Sequence, residues 1–444
     1  MGELVLRAAT AADTEALVTF TADVLRHQDA AEPDPLIAGW TSDLMRGQHP
    51  SFTPEDFFLV EDRETRTIVS CLCLIAQTWS YGGIPIAVGQ VEMVGTRPDH
   101  RGLGLVRRLF TALHERSAAR GLDLLAIDGV PWFYRQFGYE MALALRGEIS
   151  IEAARVASPT PAPPYRVRPA RDGDLPFIAT TAEHASQRYV VTCPRSDALW
   201  RHELNGPSSG NPIRRALQVV DTASGRPVGF LVHPPRLWGS ALALTQYEVS
   251  KGSSWDAITP SVLAHLRRAG ETYARDPATS LQRIGLCLGT AHPCYAAVES
   301  LQPRDEGAYA WYLRVMDLPA FLRRVAPVLE RRLATSPFAA FSSDLRLSFY
   351  RDGLRLSFEA GRLVDVVRWR PSLDLRGIEK GEPSHAERAD GSFPDLTFLQ
   401  LLFGHRSLAE LQHAFADCFT RTEVARALLP VLFPKQPSNV WPVL

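Results

Sequence analysis

Hydrophobic residues alternate with polar ones, or recur every third or fourth position, in a regular order through the first third of the chain. Alternation predicts strands, and the longer period predicts helices. Polar residues 61–66 predict the turn of a hairpin. Together these patterns predict a mixed α/β domain. The predicted strands are residues 4–9, 57–60, 68–75, 88–96 and 122–127, with a helix start at 10–15 and a helix over 105–120.

A proline-rich segment, residues 158–164, predicts a linker after this first domain. The opening pattern then recurs: residues 167–174 match residues 6–13 at Arg, Ala and Asp. A recurrence directly after a linker favours a second copy of the same fold.

A third section begins near Leu318. Residues 345–350 and 354–358 alternate around Arg351-Asp352-Gly353, which predicts a hairpin. Helices are predicted over residues 321–333, 398–403 and 408–419. The predicted domains are therefore residues 1–157, 158–317 and 318–444.

Charge and cysteine usage exclude several classes of protein. The net charge is -1, so no basic excess is available for nucleic acid or a membrane surface. The six cysteines show neither CxxC nor zinc spacing, and no metal is predicted. The N-terminus lacks a signal-peptide pattern and no stretch suits a membrane span, so a cytoplasmic location is expected.

The strongest chemical motif is residues 94–106, where a strand ends in a glycine-rich turn before a helix. Free backbone N–H groups and the helix dipole suit such a turn to a pyrophosphate. Gly102 and Gly104 allow close backbone approach, and Arg101 and Arg107 add charge. A dinucleotide-binding turn is the rival, but a glycine is absent at its sixth position, and no GK[ST] supports a Walker loop.

A second motif, residues 132–140, reads WFYRQFGYE. With the Arg-Gly-x-Gly-Leu turn some thirty residues before it, the chain resembles the GNAT acetyltransferase superfamily, and within it the Eis (enhanced intracellular survival) type. Val106 and the Thr-x-Pro run at 96–98 are typical of that branch.

The resemblance implies an architecture for the whole chain. Eis-like proteins carry an active GNAT domain, a degenerate copy of it, and a C-terminal domain resembling a sterol carrier protein. The second copy here has no Arg-Gly-x-Gly segment, so no cofactor is expected there. The family also implies a homo-oligomer, a closed hexamer.

The resemblance also implies roles for individual residues. Tyr134 is the expected general acid, protonating the CoA thiolate as it departs. The end of the strand before the turn is expected to bind the pantetheine arm and polarise the acetyl carbonyl. The residues expected to bind acetyl-CoA are Val94, Gly95, Thr96, Arg101, Gly102, Leu103, Gly104, Leu105, Val106 and Arg107.

Three possibilities remain open for the general base: Glu92, the terminal carboxylate of Leu444, or water. Glu92 lies two residues before Val94 on one strand and is expected on the same face, although an ion-paired strand residue is the alternative. In Eis-like enzymes the chain's own terminal carboxylate accepts the proton, which implies Leu444. The apolar, proline-stiffened tail favours docking, either into the first domain or onto its own domain.

The expected activity is acetyl transfer from acetyl-CoA to a primary amine by direct attack. Family precedent implies a cationic acceptor such as an aminoglycoside or a polyamine. The alternative is a non-catalytic module that binds acyl-CoA or senses lipids. The presence of Arg101, Gly102, Gly104 and Tyr134 favours the enzyme.

Overall fold

The computed structural model describes residues 3–27, 29–157, 164–274, 280–370 and 389–444. Residues 158–163 of the predicted linker lie outside these ranges. The strands are β1 (Leu4–Ala8), β2 (Phe57–Asp62), β3 (Thr67–Tyr81), β4 (Ile84–Thr96), β5 (Leu124–Ile127), β6 (Glu140–Glu152), β7 (Tyr165–Pro169), β8 (Val191–Thr192), β9 (Ala216–Thr222), β10 (Pro227–His233), β11 (Ala241–Leu244), β12 (Gln246–Val249), β13 (Arg283–Leu286), β14 (Arg304–Val315), β15 (Ser343–Ser348), β16 (Gly353–Glu359), β17 (Arg362–Trp369), β18 (Gly391–Ser392) and β19 (Phe419–Thr420).

The helices separate or flank these strands. They are α1 (Thr14–Val24), α2 (Pro35–Met45), α3 (Leu105–Ala119), α4 (Leu175–Ser186), α5 (Asp197–Asn205), α6 (Trp255–Tyr273), α7 (Leu318–Arg324), α8 (Ala326–Ala334), α9 (Phe398–Leu402), α10 (Leu408–Ala414) and α11 (Glu423–Leu432). Within the described ranges, none of them combines the length and apolarity that a membrane crossing needs.

The largest sheet has the order β1-β2-β3-β4-β5-β14-β6-β13-β11, with β8 also paired to β3. Most neighbours are antiparallel, but β4 runs parallel to β5, and β11 runs parallel to β13. Strand β14 lies between β5 and β6 although it comes much later in the chain. Residues from distant parts of the sequence therefore meet beside the predicted site.

Two smaller sheets complete the fold, with the orders β12-β10-β9-β7 and β17-β16-β15-β18-β19. An ion-pair arrangement in the large sheet recurs in the sheet that contains β7 and β9. In each case an arginine on one strand (β1 or β7) pairs with an acidic residue that follows the same strand and with another on the adjacent strand (β2 or β9). The pairs are Arg7 with Asp13 (2.7 Å) and Glu61 (2.8 Å), and Arg168 with Asp174 (2.7 Å) and Asp221 (2.6 Å). The repeated sequence thus adopts a repeated local structure.

Helices cover both faces of the large sheet near the predicted site. Leu105, Leu109, Phe110 and Leu113 of α3 are buried at helical spacing against one face. Helices α1 and α2 cover the opposite face, where the buried thiols of Cys71 and Cys73 join their core. Burial of each large apolar side chain contributes roughly 1.5–3 kcal/mol.

The third section differs from its predicted elements at three places. The helix predicted over 321–333 divides at Val325, because Pro327 at the start of α8 has no N–H to continue the preceding helix. The helix predicted over 408–419 ends at Ala414, and Phe419 belongs to β19. The first hairpin strand ends at Ser348, because Tyr350 has a φ of 69° and leaves the extended conformation.

Candidate active site

A cleft of about 560 Å³ opens where β4 and β5 separate. The two strands pair only over Val88–Gln90 and Leu124–Ala126, and β4 then continues alone to Thr96. The cleft is therefore built by the strand ends and the helix that follows β4. Its lining includes nearly all of the residues predicted for acetyl-CoA, namely Val94, Gly95, Thr96, Arg101, Gly102, Gly104, Leu105, Val106 and Arg107. Leu103 is the exception, and its side chain is 39% exposed.

The N-terminus of α3 forms one end of the cleft. Gly104 precedes the helix with a φ of 72°, and no side chain caps the free backbone N–H groups of its first turn. Gly102 has a φ of 81°. A Cβ added at either glycine would meet no atom within 4 Å, so open space faces the backbone there. An uncapped helix N-terminus beside such space fits the pyrophosphate of CoA.

The end of β4 contains a bulge that the sequence does not reveal. Met93 has a φ of 55°, and the register with β3 shifts between Cys71 and Cys73. Met93 packs with those two cysteines, whereas Val94 packs with the core under α3. The prediction that Glu92 and Val94 share a face is therefore wrong, because the inserted residue reverses the alternation.

Gly95 leaves little room for a larger residue. A Cβ there would lie 3.1 Å from side-chain atoms of both Val24 and Leu25. Its carbonyl accepts a hydrogen bond from Ser70 Oγ (2.9 Å), and that hydroxyl also lies 2.8 Å from Thr96 Oγ1. These contacts fix the strand end where the cleft begins.

Tyr134 lies in a short 3₁₀ turn, Phe133–Phe137, on the other wall of the cleft. Its ring packs 5.5 Å from that of Tyr312 on β14 and 6.0 Å from that of Phe110 on α3. Among the described residues, its hydroxyl has no hydrogen-bond partner. Burial raises the Tyr134 pKa above its ordinary value, and the negative charges of Glu92 and Asp128 raise it further. The phenol is therefore protonated at neutral pH and free to donate.

Glu92 lies in a partly buried polar chain that the sequence did not indicate. Its Oε1 accepts a hydrogen bond from Gln90 Nε2 (2.6 Å), and Gln90 Oε1 accepts one from Gln77 Nε2 (3.0 Å). Burial raises the pKa of Glu92 to about 8, and the charge of Asp128 adds to this. The hydrogen bond from Gln90 and the charge of Arg146 oppose the shift. A carboxyl group with such a pKa suits a general base near neutral pH.

Asp128 and Arg146 complete this group. Asp128 follows β5 directly, and burial raises its pKa while the charge of Arg146 opposes the rise. Arg146 Nη2 lies 3.6 Å from Asp128 Oδ2. Asp128 could have been anticipated, because it follows the strand beside β4 in the sheet. No signal in the sequence marked Gln77, Gln90, Arg146 or Tyr312.

The C-terminal tail passes over the second section before it reaches the first. Val190 N donates to Pro437 O (2.9 Å), and Asn439 N donates to Val191 O (3.0 Å). Trp441 Nε1 then donates to Cys287 O (3.1 Å). The tail is therefore held along its length by hydrogen bonds from both backbone and side-chain groups.

The last two residues contact the first section. The carbonyl of Val443 lies 3.2 Å from His49 Nε2 and accepts a hydrogen bond from Gln77 Nε2 (3.4 Å). Burial and the neighbouring His202 lower the His49 pKa to about 4, so His49 is neutral at pH 7. Leu444 packs against the core that contains Cys73, the partner of Glu92 across the β3–β4 pair. The chain terminus thus lies on the Glu92 side of β4.

Across the described ranges, no group of three His, Cys, Asp or Glu side chains is arranged to hold an ion. Tyr134, Glu92 and Asp128 lie near enough for the charges of Glu92 and Asp128 to act on the Tyr134 phenol, whose ring lines the cleft.

Comparison with known proteins identifies the class. Residues 5–142 match the family model described as an acetyltransferase (GNAT) domain. The chain therefore contains a GNAT acetyltransferase domain, and the predicted resemblance to this superfamily is confirmed. No curated protein matches the sequence.

Three solved structures share the fold over the whole chain. One is a probable N-acyltransferase from Enterococcus faecalis, 11% identical with a TM-score of 0.67 over 100% of both chains. A GCN5-related N-acetyltransferase from Kribbella flavida is 16% identical with a TM-score of 0.63 over 100% of both. Eis1 from Mycobacterium abscessus is 15% identical with a TM-score of 0.60 over 99% of both. The chain thus shares its overall fold with Eis1 and with the two other proteins.

Proposed function

We propose that this protein transfers the acetyl group of acetyl-CoA to a primary amine. The proposal rests on two groups near the open ends of β4 and β5. One is the protonated phenol of Tyr134, which has no hydrogen-bond partner among the described residues, and the other is the carboxyl group of Glu92, whose pKa is raised. An acid and a base with separated pKa values are what direct acyl transfer requires.

The cofactor would lie along the cleft with its pyrophosphate at the N-terminus of α3. Gly102 and Gly104 would let the phosphates approach the backbone closely, and Arg101 and Arg107 would add positive charge. Backbone N–H groups at the end of β4, freed by the separation from β5, would hydrogen-bond the acetyl oxygen.

The reaction would then need one proton removed and one supplied. Glu92, or the terminal carboxylate of Leu444, accepts the proton of the attacking amine. Tyr134 donates its proton to the CoA sulfur as the C–S bond breaks. The Val443 carbonyl, held by His49 and Gln77, supports the docked tail that this second candidate requires.

The remaining sections are proposed to be two further domains. We infer that residues 158–317 are a degenerate GNAT copy, supported by the repeated Arg168 ion pairs. We infer that residues 318–444 form a sterol-carrier-like domain, supported by a mixed sheet flanked by helices. The six cysteines, all unpaired, fit the expected cytoplasmic location.

The test is turnover of acetyl-CoA with a panel of primary amines, read by release of the CoA thiol. The panel includes alkylamines, diamines, an aminoglycoside and amino acids, with the amine-free reaction as blank. Thiol release above the blank supports the enzyme. Tight CoA binding with no release for any amine supports the alternative, a module that binds acyl-CoA without catalysis.

A further inference from the structure

A chain of side-chain hydrogen bonds connects a buried indole to Glu92. Trp79 Nε1 donates to Gln77 Oε1 at 2.8 Å. Gln77 Nε2 donates to Gln90 Oε1 at 3.0 Å, and Gln90 Nε2 donates in turn to Glu92 Oε1 at 2.6 Å. We call Trp79, Gln77 and Gln90 the donor chain.

The pairing of β3 with β4 brings these side chains together. Gln77 and Trp79 are two residues apart on β3, and Gln90 and Glu92 are two residues apart on β4, so each pair shares a face. Gln90 pairs with Ile75, which makes Gln77 its diagonal neighbour across the two strands. Diagonal neighbours in an antiparallel pair are within reach of long side chains.

The orientation of the Gln77 amide is fixed by two partners. An indole N–H can only donate and a backbone carbonyl can only accept. The end of the Gln77 amide next to Trp79 Nε1 is therefore the oxygen. The other end lies 3.4 Å from the Val443 carbonyl oxygen and is therefore the nitrogen. Both partners require the same orientation.

This orientation determines what reaches Glu92. Because Gln77 presents its nitrogen to Gln90, Gln90 accepts with its oxygen and has its own nitrogen left to donate to Glu92. A hydrogen bond donated to a carboxyl oxygen favours the ionised form, which is the form that a general base needs. An amide turned the other way would present an oxygen to Glu92 and favour the protonated form.

The hydrogen bond from Gln90 acts against the other influences on Glu92. Burial and the charge of Asp128 raise the Glu92 pKa, whereas this hydrogen bond and, after it, the charge of Arg146 lower it. Two further titratable groups feel the charge of Glu92, and both have raised pKa values and are neutral at pH 7: Tyr134 and Cys73.

We propose that Trp79, acting through Gln77 and Gln90, is a positioning residue that keeps Glu92 a hydrogen-bond acceptor and so maintains it as the general base. Trp79 is fully buried, so it touches neither the cofactor nor the acceptor amine. The proposal rests on the proposed acetyltransferase activity and chooses Glu92 as its base.

Two variants interrupt the donor chain at different points. Gln90→Met removes the donor to Glu92, and the pH midpoint of kcat/KM is expected to rise by roughly one pH unit. Trp79→Phe keeps an aromatic ring but removes the N–H that fixes the amides, and a rise of roughly half a pH unit is expected. A base must be deprotonated, so activity falls below the midpoint and recovers to the wild-type plateau above it.

Trp311→Phe is the matched control. The Trp311 ring lies 5.9 Å from that of Trp79 in the same core, and within the described ranges its buried Nε1 has no hydrogen-bond partner. This variant therefore loses the same atoms from the same core without interrupting the donor chain. We expect it to keep the wild-type midpoint. Equal acetyl-CoA affinity in all variants shows that the fold is intact.

A second measurement reads Glu92 without turnover. The infrared absorption of protonated carboxyl groups is followed against pH, and the Glu92 band is assigned by its absence in Glu92→Gln. We expect this band to titrate at a higher pH in Trp79→Phe and Gln90→Met than in the wild type and Trp311→Phe. If Trp79→Phe does not fold, Gln90→Met carries the comparison.

The outcomes separate this inference from the proposed function. Wild-type midpoints in both chain variants, or an equal shift in Trp311→Phe, would overturn the inference alone. An infrared shift without a shift in the kcat/KM profile would also overturn it, because Glu92 would then not be the base. Failure of every amine in the panel to release thiol would overturn the acetyltransferase proposal itself.

Discussion

The terminal carboxylate of Leu444 can be moved without removing any side chain. Extending the chain by Gly-Ser displaces the carboxylate by up to roughly 7 Å, the reach of two residues. If this carboxylate is the general base, we expect kcat to fall roughly 10²-fold, within the usual range for such a group. Acetyl-CoA affinity is expected to stay the same, because no tail residue lines the cofactor cleft.

Deleting Val443 and Leu444 is a less specific change. Val443 is buried, Leu444 is half-buried, and the Val443 carbonyl contacts His49 and Gln77. Losing the apolar contacts removes roughly 2–4 kcal/mol, and the polar contacts about 1 kcal/mol each. A loss of activity in the deletion variant therefore combines the loss of packing with the loss of the carboxylate. The extension removes no residue, so it keeps the side chains that make these contacts.

Leu444→Ala is the matched control, since it keeps the carboxylate in place and loses only apolar contact. Steady-state thiol release gives kcat for all three variants, and calorimetry gives the acetyl-CoA affinity. The reasoning predicts a large loss in the extension and a small one in Leu444→Ala. Normal kcat in the extended enzyme would refute it, and Glu92 would then be the first residue to mutate.

Three further predictions concern the cofactor, the base and the assembly. Gly104→Glu is expected to abolish acetyl-CoA binding in calorimetry, because it adds a negative charge at the helix N-terminus and strains a φ of 72°; unchanged affinity with the fold intact would contradict this. A base must be deprotonated, so if Glu92 is the base, kcat/KM rises as pH rises through about 8. Glu92→Gln should remove that step, and an identical profile for the variant would exclude Glu92. The resemblance predicts a symmetric oligomer larger than a dimer, the hexamer, and a monomer by light scattering at micromolar concentration would end that prediction.

The elements around the cofactor cleft were predictable, because local patterns determine them. The 94–106 turn and the helical spacing of Leu105, Leu109 and Leu113 indicated where β4 ends and α3 begins. The predicted strand over 68–75 is part of the longer β3. The far end of β3 packs against the third section, and this long-range contact extends the strand past the residues that a local pattern marks.

The polar chain beside Glu92 could not be predicted, because long-range contacts create it. Gln77 and Gln90 meet across the β3–β4 hairpin, and their chain reaches Val443 near the end of the protein. The Met93 bulge depends on backbone geometry that no residue type signals, so the alternation rule failed there. Tyr312 comes to Tyr134 only because β14 inserts between β5 and β6.

Tyr134→Phe tests the central claim most directly. The change keeps the ring against Tyr312 and Phe110 and removes only a hydroxyl that has no hydrogen-bond partner among the described residues. The measurement is kcat for acetyl transfer to the best amine of the panel, with acetyl-CoA affinity measured alongside. We predict that kcat falls roughly 10²-fold while the affinity is little changed. A variant with normal kcat would show that another group protonates the leaving thiolate, and the assignment of Tyr134 as the acid would be wrong.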